Sequence, residues 1–127
     1  MAVRLDTDIR NALASAISSG FPAGSTLEIR TGTQPASANT AATGSLLATI
    51  TLPASPWAAA SGGSVAKQNT WSVTASGTGT AGWARLIGGS NALDVAIGTD
   101  WTMDNASIIA GGTVTVTSAS ITVPSGE

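Results

Sequence analysis

Only one stretch of the chain repeats its hydrophobic residues every four positions: Leu5, Ile9, Leu13 and Ile17, with Ala12 and Ala16 beside them. That spacing lays one apolar stripe along a helix and predicts a helix over residues 5–18. Asp6 or Thr7 stands where an N-cap belongs, and Asp8 suits the positive end of the dipole. Gly20 stops the helix and Pro22 prevents its resumption. An isolated helix of about 14 residues is marginal in water, so the stripe has to dock, on its own domain or on a neighbour.

Beyond Gly24 the period becomes two. Leu27 and Ile29 face one way, and Thr26, Glu28 and Arg30 face the other. Leu46, Ala48, Ile50 and Leu52 form a second inward row, closed by Pro53 and Pro56. Trp71, Val73 and Ala75 form a third, followed by a turn at 76–79 and a strand over 80–87, which together read as a hairpin. A turn at 88–91 leads to Leu93, Val95 and Ile97, and another at 98–100 leads into an ambiguous stretch, 101–109. The last strand changes parity: Val114 and Val116 sit on even positions, Ala119, Ile121 and Val123 on odd ones. A period of two cannot switch without an extra residue, so a bulge or a sheet-switching bend is expected within 117–120, and Pro124 ends the strand. Two segments lack periodicity. Residues 31–44 are a polar, small-residue loop longer than a hairpin needs, hence functional or mobile, and residues 58–64 read as a flexible connection.

Seven or eight short strands with Gly and Pro punctuation predict an all-β fold, an antiparallel β-sandwich of jelly-roll type with a short N-terminal α-helix. Two units follow: residues 1–20 as the helix and residues 21–127 as one β-sandwich domain.

Composition narrows the chemistry. The sequence has no His, no Cys and no Tyr, which removes the usual general bases, thiolate ligands and several nucleophiles. Charged residues make up 9% of the chain, against roughly a quarter in ordinary soluble domains. A surface so poor in charge is expected to be covered by partner subunits, as in a homo-oligomer. The five basic residues are scattered, so no phosphate-binding stripe points to nucleic acid. No apolar run approaches the roughly 20 residues of a membrane span, and Asp6, Asp8 and Arg10 interrupt any signal-peptide core.

The candidate sites are correspondingly few. Asp94, Asp100 and Asp104 lack the spacing of a calcium loop and read as turn residues. Glu28 is the only internal Glu and reads as a solvent-facing charge, and Lys67 has no SxxK or GxSxG context. Catalytic, cofactor and metal residues are therefore expected to be none. Of the four Trp, Trp71 and Trp83 fit strand cores, whereas Trp57, beside Pro56 and an Ala/Gly connection, suits either an interface anchor or the core.

The segments LEIRTGTQPA (27–36), the loop on to Gly44, LLATITL (46–52), TAGWARL (80–86) and DNASIIAGGTVTVTSASITVP (104–124) together resemble a family of small tailed-bacteriophage virion proteins. The resemblance implies a structural component of the virion, assembled in the host cytoplasm. Its most direct form is a capsid decoration or cement protein, a homo-oligomer such as a trimer, bound to the major capsid protein. The alternative it implies is a tail, fibre or adhesin module that binds another virion protein or a host glycan. Contact residues expected on either reading are Leu5, Ile9, Leu13, Ile17, Gln34, Pro35 and Trp57.

Overall fold

The computed structural model describes residues 4–123. Pro124, expected to end the last strand, lies outside the described residues, as do the outermost ends of the two expected units. One helix, α1 (Thr7–Ser19), precedes ten strands: β1 (Thr26–Thr31), β2 (Leu46–Thr51), β3 (Ser64–Ala66), β4 (Trp71–Thr74), β5 (Gly79–Gly88), β6 (Asn91–Ala96), β7 (Thr102–Met103), β8 (Ser107–Ile108), β9 (Thr113–Ser118) and β10 (Ser120–Thr122). Asp6 is the N-cap, its carboxylate accepting from Ile9 N at 2.9 Å. Gly20 closes the helix with its N–H on Ala16 O and Ile17 O.

The strands form antiparallel sheets. The main one runs β2-β1-β5-β6, with β8 added to the end of β5; the others are β4-β9-β7 and β10-β3. The inner faces of the first two share one core. Leu27, Ile29, Ala48, Ile50, Ala84 and Leu86 come from the main sheet, and Trp71, Val114, Val116 and Trp101 from the opposite side. Trp57, Trp71 and Trp101 meet edge to face, with centroids 5.0, 5.9 and 6.2 Å apart. Each indole N–H finds a carbonyl, on Phe21, Gln68 and Ser120 respectively. Such pairs add about 1 kcal/mol each beyond burial.

Several expectations need correction. The segments 71–75 and 80–87 are not a hairpin: β4 pairs with β9, and β5 pairs with β1, β6 and β8, so the chain changes layers between them. Ala48, Ile50 and Leu52 are buried as expected, but Leu46 is exposed and Leu47 is buried in its place, because the β1–β2 register slips at Ile29/Arg30. Residues 58–64 are no loose connection. Ser61 and Ser64 bond to each other, and β3 follows to pair with β10. The parity switch at 117–120 is present. The β7–β9 register slips between Thr102 and Met103, β9 ends at Ser118, and β10 begins at Ser120 in a different sheet. That bend carries Val123 away from the main core to a smaller one with Ala14 and Val65, beneath the helix.

The loop between β1 and β2 is pinned at its base. Thr31 N donates to Ser45 O at 3.1 Å, and Ser45 N donates to Thr31 Oγ1 at 2.9 Å. Its first residue runs so close to β5 that a Cβ on Gly82 would overlap the Gly32 carbonyl, which is why position 82 needs glycine.

Candidate functional site

The helix docks through a small apolar cluster, to which Leu5 and Ile17 also contribute, flanked by hydrogen bonds. Ala14 is its one fully buried residue and packs with Val65 and Val123. One turn earlier on that side, Arg10 reaches across. Its Nε donates to Val123 O at 3.0 Å and its Nη2 to Gly62 O at 3.2 Å. Asn11 Oδ1 accepts from Gly63 N at 2.7 Å. These bonds satisfy backbone groups of the 62–63 turn and the end of β10 that no strand reaches.

The opposite flank of the helix is apolar and open. Ile9 is 49% exposed and Leu13 42% exposed. Beside Leu13 lies a groove of about 610 Å³. One wall is the C-terminal half of α1 (Leu13, Ala16, Ile17, Gly20) with Phe21, the second is the start of β6 (Asn91, Ala92, Leu93), and the third is β10 with the residue after it (Ile121, Thr122, Val123). No charged side chain among the described residues lines it. Asn91 Nδ2 donates to Gly20 O at 3.4 Å and ties the helix end to β6. Covering the exposed halves of Ile9 and Leu13 would recover roughly 1 kcal/mol each, before any gain from the groove walls.

Of the expected contact residues, the structure brings Leu13 and Ile17 together in the groove, with Ile9 one turn away on the same helix. Leu5 is half-buried against the smaller core. Gln34 and Pro35 lie in the 32–45 loop, the first exposed and the second half-buried, and neither lines the groove. Trp57 is turned inward. It packs on Trp71 and Trp101, donates to Phe21 O, and bridges the two cores, so its ring and N–H are already engaged. Phe21, Leu93 and Ile121 are groove residues that the sequence reading did not single out. Leu93 and Ile121 looked like inward strand positions, and nothing local marks them as the rim of an open sandwich.

A second cluster sits on the outer face of the main sheet. Arg85 is 7% exposed and grips Asp94 with two hydrogen bonds, Nε to Oδ1 at 2.7 Å and Nη2 to Oδ2 at 3.0 Å. These bonds raise the guanidinium pKa above its usual value against the opposing pull of burial, and the charges of Asp94 and Glu28 add to the rise. Glu28 is not free in solvent as expected: it is half-buried and pairs with Arg30 Nη2 at 3.1 Å. Trp83 is fully buried on this outer face rather than in the shared core, opposite Arg30 on β1 and Ala96 on β6. Its N–H has no acceptor among the described residues, and neither has Arg30 Nε.

Both acids of this row, Glu28 and Asp94, are held in ion pairs. Asp94 belongs to a strand and an ion pair rather than a turn. Asp100 and Asp104 are turn acceptors, for Ala96 N and for Asn105 N and Thr115 N respectively. Among the described residues no cluster of three metal-ligating side chains occurs, and no helix is long and apolar enough to cross a membrane. No protein-family model, curated protein or solved structure matches the chain.

Proposed function

We propose that this chain is a structural protein of a tailed-bacteriophage virion, a capsid decoration or cement protein that associates with its own copies and with the major capsid protein. The observation that carries the reading is the uncharged groove of about 610 Å³ beside the exposed Ile9 and Leu13. A helix that is already docked through Ala14, Ile17, Arg10 and Asn11 and still leaves Ile9 and Leu13 half-exposed beside an apolar groove offers a surface suited to another chain. The sequence likeness to small virion proteins supplies the setting, and the 9% charge content supports a surface that is largely covered. The role is mechanical, without cofactor or catalysis. A standard interface buries about 800 Å² per partner, and the chain exposes 6523 Å², so it has surface for both a copy of itself and the shell.

The tail, fibre or adhesin alternative, in its glycan-binding form, calls for exposed Trp faces. Trp71, Trp83 and Trp101 are at most 1% exposed and Trp57 is packed between two of them, so no observation favours it. Copy number in purified particles tests the proposal. Hundreds of copies per virion are expected of head decoration. Three to a few dozen would reassign the chain to the tail or portal, and none would remove it from the virion.

A further inference from the structure

We propose that the free edge of β6 is where a second copy of this chain joins, antiparallel and edge to edge about a two-fold axis at Leu93, so that the main sheet continues across the pair. The inference rests on the assembly reading above and gives it a geometry. β6 is the last strand of the path β2-β1-β5-β6, so one side of it is unpaired. It follows β5 through a two-residue turn at Gly89 and Ser90, with Gly88 opposite Asn91. In such a hairpin the pair flanking the turn exchanges hydrogen bonds and the next pair does not, in alternation. Asn91, Leu93 and Val95 therefore bond to β5, while Ala92, Asp94 and Ala96 turn their N–H and C=O groups outward. Ala96 bears this out: its N–H goes to Asp100 Oδ2 and its carbonyl accepts from Asp100 N and Trp101 N. The outward groups of Ala92 and Asp94 have no partner among the described residues.

Isolated edges are normally blunted by Lys, Pro or a bulge. β2, at the other end of the sheet, has a register slip, and its Leu47 carbonyl is covered by Ser76 N and Gly77 N. β6 has no basic residue, no proline and no slip against β5. Its one charge, Asp94, is clamped by Arg85 and its side chain is 4% exposed. In an antiparallel pair centred on Leu93, Ala92 stands opposite the second copy's Asp94, so the two acids do not face each other and each keeps its own arginine. Leu93 lines the groove, so the two leucines meet at its mouth beside the open flank of the helix.

The chain contains no cysteine, so Leu93→Cys introduces the sole thiol. Directly opposed residues of a non-hydrogen-bonded pair have Cα atoms about 4.5 Å apart, within disulfide reach. Mild oxidation is expected to convert L93C largely to a disulfide dimer, and to leave a Thr33→Cys control in the exposed loop as monomer. Adding Ala92→Pro to L93C removes an outward N–H without touching the β5 ladder. Adding Ala92→Glu instead sets a like charge against the second copy's Asp94. Either is expected to slow cross-linking roughly tenfold, and A92E keeps the test open if the proline variant misfolds. Were L93C to cross-link no faster than T33C while the unmodified chain still oligomerises, the edge proposal would fall and the assembly reading would stand. A chain that stays monomeric at every concentration overturns both.

Discussion

The two sides of α1 are built in opposite ways. On the docked side, one buried alanine is framed by Arg10 and Asn11, which hold the 62–63 turn and the Val123 carbonyl with three hydrogen bonds. On the open side, Ile9 and Leu13 stand in water beside an uncharged groove. The stripe is split: Leu5 and Ile17 pack against the cores with Ala14, while Ile9 and Leu13 stay half-exposed. Docking here combines a small apolar cluster with hydrogen bonds to a turn the sheets leave unsatisfied. An ordinary surface helix buries its whole apolar stripe, so the middle of this one is left for a contact the single chain does not make.

Substitutions can break each side separately. The largest effect on the fold is expected from Ala14→Leu, which overfills the seam and costs about 2–3 kcal/mol, read as a lower urea midpoint together with faster amide exchange in α1. Arg10→Ala deletes both guanidinium contacts. A loss of about 2 kcal/mol is expected, and Arg10→Lys should restore only part of it, because one ammonium cannot span Val123 O and Gly62 O. Asn11→Ala leaves the Gly63 N–H without its acceptor and should cost about 1 kcal/mol in the same titration. Ile9→Asp alone is expected to move the folding midpoint least, by less than about 1 kcal/mol, since Ile9 is 49% exposed and lines no wall of the groove. If that single change destabilised the monomer as much as Arg10→Ala does, the two sides would not differ as described.

The sequence carried some of this plainly. The helix, a cap at Asp6 or Thr7 and the break near Ser118 follow from local rules, because a cap acts within one turn and a period of two admits no exception. The helix begins at Thr7 and not at residue 5, since Asp6 caps it from outside. Which side of the helix docks was not legible. Periodicity marks where the apolar stripe runs, but Arg10 finds its partners 52 and 113 residues away in the chain. The false hairpin between 71–75 and 80–87 has the same origin. Neighbours in sequence were assumed to pair, whereas β4 finds β9 and the chain crosses to the other layer. Trp83 was readable as buried but not as outward. Its alternation on β5 only acquires a direction once Ala84 and Leu86 are set against Ile29 and Leu27. The groove likewise needs the bend at Ala119, which brings Ile121 and Val123 beside the helix and β6. Leu13 and Ile17 were legible as contacts because they belong to the stripe; Phe21, Leu93 and Ile121 become a site only in three dimensions.

Light-scattering mass in solution, measured on the unmodified chain and on the Ile9→Asp, Leu13→Asp variant with its fold verified by circular dichroism, tests the open flank most directly. The expected result is a homo-oligomer that falls to a folded single chain in the variant. An unmodified chain at monomer mass, or a variant that keeps the full oligomer mass, would contradict it.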